Sequence, residues 1–64
     1  MTFKELYRVL ESHGWRYREG GRHRIYMHPD FKEVIPVGRH ESQEVPIGTL
    51  RKILKAAHIP YPIK

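Results

Sequence analysis

The sequence predicts a small α+β domain of α–β–β–β–α order, with a three-stranded antiparallel sheet and both helices on one face. Three observations predict it. Two segments repeat apolar residues with helical period, a basic and aromatic stretch between them alternates with strand period around a Gly-Gly pair, and a short Val/Ile/Pro run follows. Two amphipathic helices and a three-stranded meander pack most simply with both helices on one face, leaving the other to solvent or a partner. Sixty-four residues make one domain, read as residues 1–59 with an extended tail at 60–64.

The first helix is expected from about Thr2 to His13. Phe3, Leu6, Tyr7 and Leu10 fall at i, i+3, i+4 and i+7, one apolar stripe. Thr2 and Glu5 have capping-box spacing, and Gly14 suits the left-handed position that ends many helices. Trp15-Arg16-Tyr17-Arg18 then alternates apolar and basic residues, and Arg22 to His28 returns as the second strand. Gly20-Gly21 is the expected two-residue turn. That turn pairs Glu19 with Arg22, Arg18 with His23, Tyr17 with Arg24, Arg16 with Ile25 and Trp15 with Tyr26. Trp15, Tyr17, Arg24 and Tyr26 then share one face, the better candidate for packing under the helices. Arg16, Arg18, His23, Ile25 and Met27 share the open face.

Pro29-Asp30 marks a turn, and Glu33 to Val37 reads as a third strand. Pro36 lacks a ladder donor, which places that strand at a sheet edge or Pro36 near its end. Gly38 to Val45 is polar and reads as a loop. The second helix is expected from about Ile47 to His58, with Leu50, Ile53, Leu54 and Ala57 as its stripe and Pro46 in its first turn. Arg51, Lys52 and Lys55 occupy its exposed positions. Pro60 and Pro62 cannot continue it, so residues 59–64 are expected to be extended.

Twelve Lys and Arg oppose seven Asp and Glu, a formal net charge of +5. Such a balance fits either an ordinary solvated surface or an anionic partner. No cysteine is present, so neither a disulfide nor a thiolate metal site is available. No apolar run approaches the ~20 residues of a membrane span, and no signal peptide is visible. A cytoplasmic location without membrane association is the resulting expectation.

The candidate chemistry centres on His23. Residue chemistry alone leaves two readings: a surface histidine near a turn, or a general base or acid in RNA cleavage. RNA carries its own nucleophile, the 2′-hydroxyl, and an imidazole has a pKa suited to moving its proton. Neighbouring cations stabilise charge on the transferring phosphate and keep the imidazole neutral. Arg16, Arg18, Arg22, Arg24, Lys52 and Lys55 are the candidate RNA contacts. His23 and His28 point to opposite faces of one strand, and no spacing announces a metal site, so no metal or other cofactor is expected. His28 before Pro29 reads as a strand end. His13 and His58 sit at helix C-termini, where a partly charged imidazole complements the dipole. His40 lies in the polar loop.

Gly21-Arg22-His23-Arg24-Ile25-Tyr26-Met27-His28-Pro29 resembles the G-S-H-x-x-[FY]-x-H-P signature of HicA-type mRNA interferase toxins. Lys4-Glu5-Leu6 with Gly14-Trp15 resembles the family's first helix and its entry into the sheet. Pro36-Val37 is similar to the V-P-V strand, and Gly48-Thr49-Leu50-Arg51-Lys52-Ile53-Leu54-Lys55 to the G-T-L-R-x-I-L-K helix. The likeness runs in order from Lys4 to Ile59. It implies a double-stranded-RNA-binding-domain-like fold and translation-independent cleavage of mRNA, metal-independent on the spacing argument above. It puts His23 at the catalytic position and implies neutralisation by a HicB-type antitoxin. Arg22 stands where the family has serine, Gly38 where a histidine often follows V-P-V, and His58 where a glycine ends the last helix. A non-catalytic RNA-binding module, or a protein-interaction domain for an acidic partner, also fits the charge and the open face.

Overall fold

The computed structural model describes residues 1–62, in the order α1 (Phe3–Ser12), β1 (Arg16–Gly20), β2 (His23–His28), β3 (Phe31–Gly38) and α2 (Ile47–Ala56). This is the predicted α–β–β–β–α order, with an open antiparallel sheet ordered β1-β2-β3.

The expected capping box starts α1. Thr2 Oγ1 accepts the Glu5 N–H at 3.2 Å, and Glu5 Oε1 accepts the Thr2 N–H at 2.8 Å. Two of the helix's orphan donors are thereby satisfied. Phe3, Leu6, Tyr7 and Leu10 are the residues α1 buries. Gly14 follows with φ +91, and a Cβ there would lie 2.9 Å from His28 Nε2.

The hairpin turn is corrected by one residue. Gly21-Arg22 forms it, not Gly20-Gly21, and the register is Arg16↔Met27, Tyr17↔Tyr26, Arg18↔Ile25, Glu19↔Arg24 and Gly20↔His23. A two-residue turn with glycine first needs positive φ there, and Gly21 has φ +70. Gly20 is thereby released to the strand, where an added Cβ would sit 2.4 Å from Ile25 Cγ1. The turn moves without changing length, so both strands shift together. Every side chain keeps its predicted face although every cross-strand partner changes.

Strand β3 is longer than the expected Glu33–Val37. Phe31 opens it by pairing with His28, and the register shifts between Tyr26 and His28. It is an edge strand, where the missing N–H of Pro36 is tolerated. Pro46 is the N-cap of α2 rather than a first-turn residue. Its extended backbone (φ -55, ψ 139) leaves its carbonyl to accept the Leu50 N–H at 2.9 Å. The helix stops at Ala56, because His58 adopts φ 59.

Trp15, Tyr26, Ile35 and Val37 bring the inner sheet face to the stripes of both helices, and Val45 and Ile59 complete the core. Trp15 Nε1 donates to the Ala57 carbonyl at 3.3 Å, joining the start of the hairpin to the end of α2. Ile59 is a core residue and lies within the domain expected to run from 1 to 59. Tyr61 and Pro62 form a bend rather than an extended run, and the rest of the expected tail, residues 63 and 64, lies outside the described residues. No helix among the described residues is long and apolar enough to cross a membrane.

Candidate nucleic-acid interface

Strand alternation assigns the open face. It receives Arg16, Arg18 and Gly20 from β1, His23, Ile25 and Met27 from β2, and Lys32, Val34, Pro36 and Gly38 from β3. His23 opens β2 and is exposed, with Gly20 as its partner on one side and Gly38 on the other. Neither neighbouring strand places a side chain directly across from it.

The other four histidines have internal contacts. His13 Nδ1 lies 2.9 Å from the Val9 carbonyl at the end of α1. His28 Nδ1 accepts the Asp30 N–H at 3.0 Å, which leaves Nε2 to donate to the His13 carbonyl at 3.1 Å. Its ring also lies 5.1 Å from Trp15 and 4.9 Å from Phe31. His40 meets the edge of Phe3, and His58 stacks on Phe31 at 4.1 Å. Among the described residues His23 alone has neither a side-chain hydrogen bond nor a ring contact, so its imidazole is available to a ligand.

The candidate cations divide into three groups. Arg18 and Arg22 are exposed, on the open face and at the turn beside His23. Arg16 is exposed at the β1 edge, but its guanidinium reaches back to the carbonyls of Glu11 at 3.1 Å and Trp15 at 2.9 Å. Lys52 and Lys55 line a groove with Glu33, Ala56 and His58 on the helical side, so the structure does not bring them to His23. Arg24 is also on that side. Its guanidinium lies between the rings of Tyr7 at 4.0 Å and Tyr17 at 4.1 Å, and its side chain is only 17% exposed. Glu11 and Glu41 face it at 3.6 and 3.7 Å. Arg24 also donates to the Tyr26 hydroxyl at 3.3 Å, and that hydroxyl donates to Glu11 at 2.7 Å. Burial, aided by that carboxylate, raises the Tyr26 pKa and keeps the hydroxyl protonated as a donor. This network holds the hairpin to α1, and it removes Arg24 from the surface cations.

Lys32 was not among the sequence candidates. It lies between Phe31, which packs on the core, and Glu33, which lines the groove beside α2, and alternation puts it on the open face. The acidic residues complete the electrostatic picture. Glu5 and Glu11 lie on α1, and Glu19 pairs with Arg39 on the helical side of the hairpin. Asp30 is in the β2–β3 turn, Glu33 is beside Lys52 and Lys55, and Glu41 and Glu44 lie between β3 and α2. No Asp or Glu side chain occupies the open face among the described residues, so the field at His23 is positive. No group of three His, Cys, Asp or Glu side chains that could hold a metal ion is found among the described residues.

A family model described as the HicA toxin of bacterial toxin-antitoxin matches residues 3–59. A comparison with curated proteins finds no match.

Proposed function

The chain belongs to the HicA toxin family of bacterial toxin–antitoxin systems, and from that premise we propose that it is an endoribonuclease that cleaves mRNA at His23. The observation that carries the reading is the position of His23: exposed between two glycines, without internal contacts, on a face that bears cations and no carboxylate. The imidazole removes the 2′-hydroxyl proton, and the 2′-oxygen attacks the adjacent phosphorus. The bond to the 5′-oxygen breaks, the departing oxygen takes up a proton, and a cyclic phosphate is left on the upstream fragment. Arg18 and Arg22 stabilise the charge on the transferring group, with Arg16 at the strand edge. Lys52 and Lys55 form a separate cationic patch that contacts RNA outside the reacting phosphate. A HicB-type antitoxin silences the enzyme by covering the His23 face, steered there by acidic charge.

The test is His23→Ala. Loss of a general acid–base group costs ~10²–10⁴-fold in rate, whereas an exposed substitution changes stability by less than ~0.5 kcal/mol. The expected variant melts as wild type does and retains RNA and antitoxin binding, but it does not cut RNA and is not toxic on induction. A folded His23→Ala protein that cuts at the wild-type rate refutes the assignment. Wild-type protein that binds RNA and never cuts it points instead to a binding module.

A further inference from the structure

We propose that the open sheet face is a binding lane for unpaired RNA, with bases over Ile25, Met27, Val34 and Pro36 and the backbone along flanking cations. This rests on the ribonuclease reading of His23 and adds the form of the substrate and the residues that hold it.

The lane is apolar where the outer face of such a sheet is ordinarily polar. Val34 is 50% exposed and Met27 38% exposed, and neither helix covers them. Ile25 lies over the bare Cα of Gly20 and continues the apolar surface toward His23. Arg18 borders the lane on β1, and Lys32 borders it on β3. Charge complementarity selects a polyanion for this face, because cations stand on both sides and no carboxylate intervenes. The apolar floor selects the form of that polyanion. A duplex presents phosphates and ribose outward and buries its base faces, so it would desolvate Met27 and Val34 without covering them. A single strand offers exposed base faces to the floor while its phosphates reach the borders. Two interstrand spacings span about 10 Å, room for one strand and its bases. Cleavage by the 2′-oxygen also requires a linkage free to bring that oxygen in line with the departing one, which a regular duplex resists.

The experiment uses His23→Ala protein, so that RNA survives the measurement, with a short labelled RNA presented as a single strand or as a perfect duplex. The single strand is expected to bind about tenfold more tightly or better, a difference of ~1.4 kcal/mol. Adding Met27→Gln and Val34→Thr, which keep size and charge, is expected to weaken single-strand binding by a similar factor without changing its salt dependence. Adding Lys32→Ala is expected to lower the salt slope by about 0.7. Equal or tighter duplex binding, or single-strand binding unaffected by the Met27 and Val34 changes, overturns the lane. Binding of neither RNA overturns it as well and leaves the face to a protein partner. The two readings fail separately. Wild type that cuts no RNA while lane variants lose binding refutes the nuclease and keeps the lane. Cutting that persists with normal binding by the lane variants refutes the lane alone.

Discussion

At the scale of single residues, His23 and His28 show how five positions along one strand separate surface from interior chemistry. His28 has both ring nitrogens committed to backbone groups, and its side chain is 12% exposed. Gly14 leaves room for that imidazole. His28→Ala removes two hydrogen bonds and the contacts with Trp15 and Phe31, so it is expected to destabilise the domain by ~1–3 kcal/mol. Gly14→Ala meets both a positive φ and the His28 ring, and more than ~1 kcal/mol of destabilisation is expected. For a domain of this size ~1 kcal/mol lowers Tm by about 4–8 °C. Thermal melting of both variants beside His23→Ala checks the contrast. An unchanged melting temperature for His28→Ala would return His28 to the candidates for chemistry.

At the scale of elements, both ends of α1 are set by local devices, and the end is also packed against a distant strand. The Thr2–Glu5 capping box involves residues three apart, and Thr2→Ala is expected to cost about 1 kcal/mol. The same device is sensitive to acid. The Thr2 backbone N–H holds the Glu5 pKa below its ordinary value, with the Thr2 hydroxyl adding to the effect. A depressed carboxylate stabilises the fold above its unfolded pKa, and that contribution is lost as pH falls through the folded value. Wild type is therefore expected to lose more Tm than Glu5→Gln between neutral pH and pH about 3. Parallel losses in the two proteins would show that the carboxylate does not contribute. Gly14 announces the end of α1 locally and takes the expected positive φ, but no local pattern announces its close fit beside His28 from β2.

At the scale of the whole molecule, the distribution of charge matters more than its sum. The net +5 is divided between the open face and turn, the second-helix patch, and cations such as Arg24 that are spent internally. Phosphate contacts release counterions, so on the proposed function RNA affinity is expected to fall as salt rises. Arg18→Ala and Arg22→Ala are each expected to reduce the slope of log K against log salt by about 0.7 on single-stranded RNA. Lys52→Ala with Lys55→Ala is expected to weaken binding while leaving the rate of cutting at saturating RNA unchanged. Binding of the His23→Ala protein titrated across salt, and single-turnover cutting by the wild-type background, measure the two effects. A flat salt dependence, or second-helix substitutions that slow cutting at saturation, would reject this division.

The sequence by itself determined the order of elements, the two helical stripes, the capping box and the face on which each hairpin side chain lies. Those features depend on residues within one or two turns of each other, or on alternation that survives a sliding turn. The open-face position of His23 was legible for the same reason, because strand parity places it opposite the aromatic face, while its candidacy for chemistry came from the HicA-like motif. Only the tertiary structure decided the partners across the hairpin, because Ile25 needs the bare Cα of Gly20 and Gly21 alone supplies the turn's positive φ. It also decided that Arg24 is held between Tyr7 and Tyr17, that Lys52 and Lys55 stand apart from His23, and that Lys32 joins the open face. A basic residue in a sequence has a charge but no direction, and its role depends on which carboxylates and rings the fold brings within a few ångströms of it.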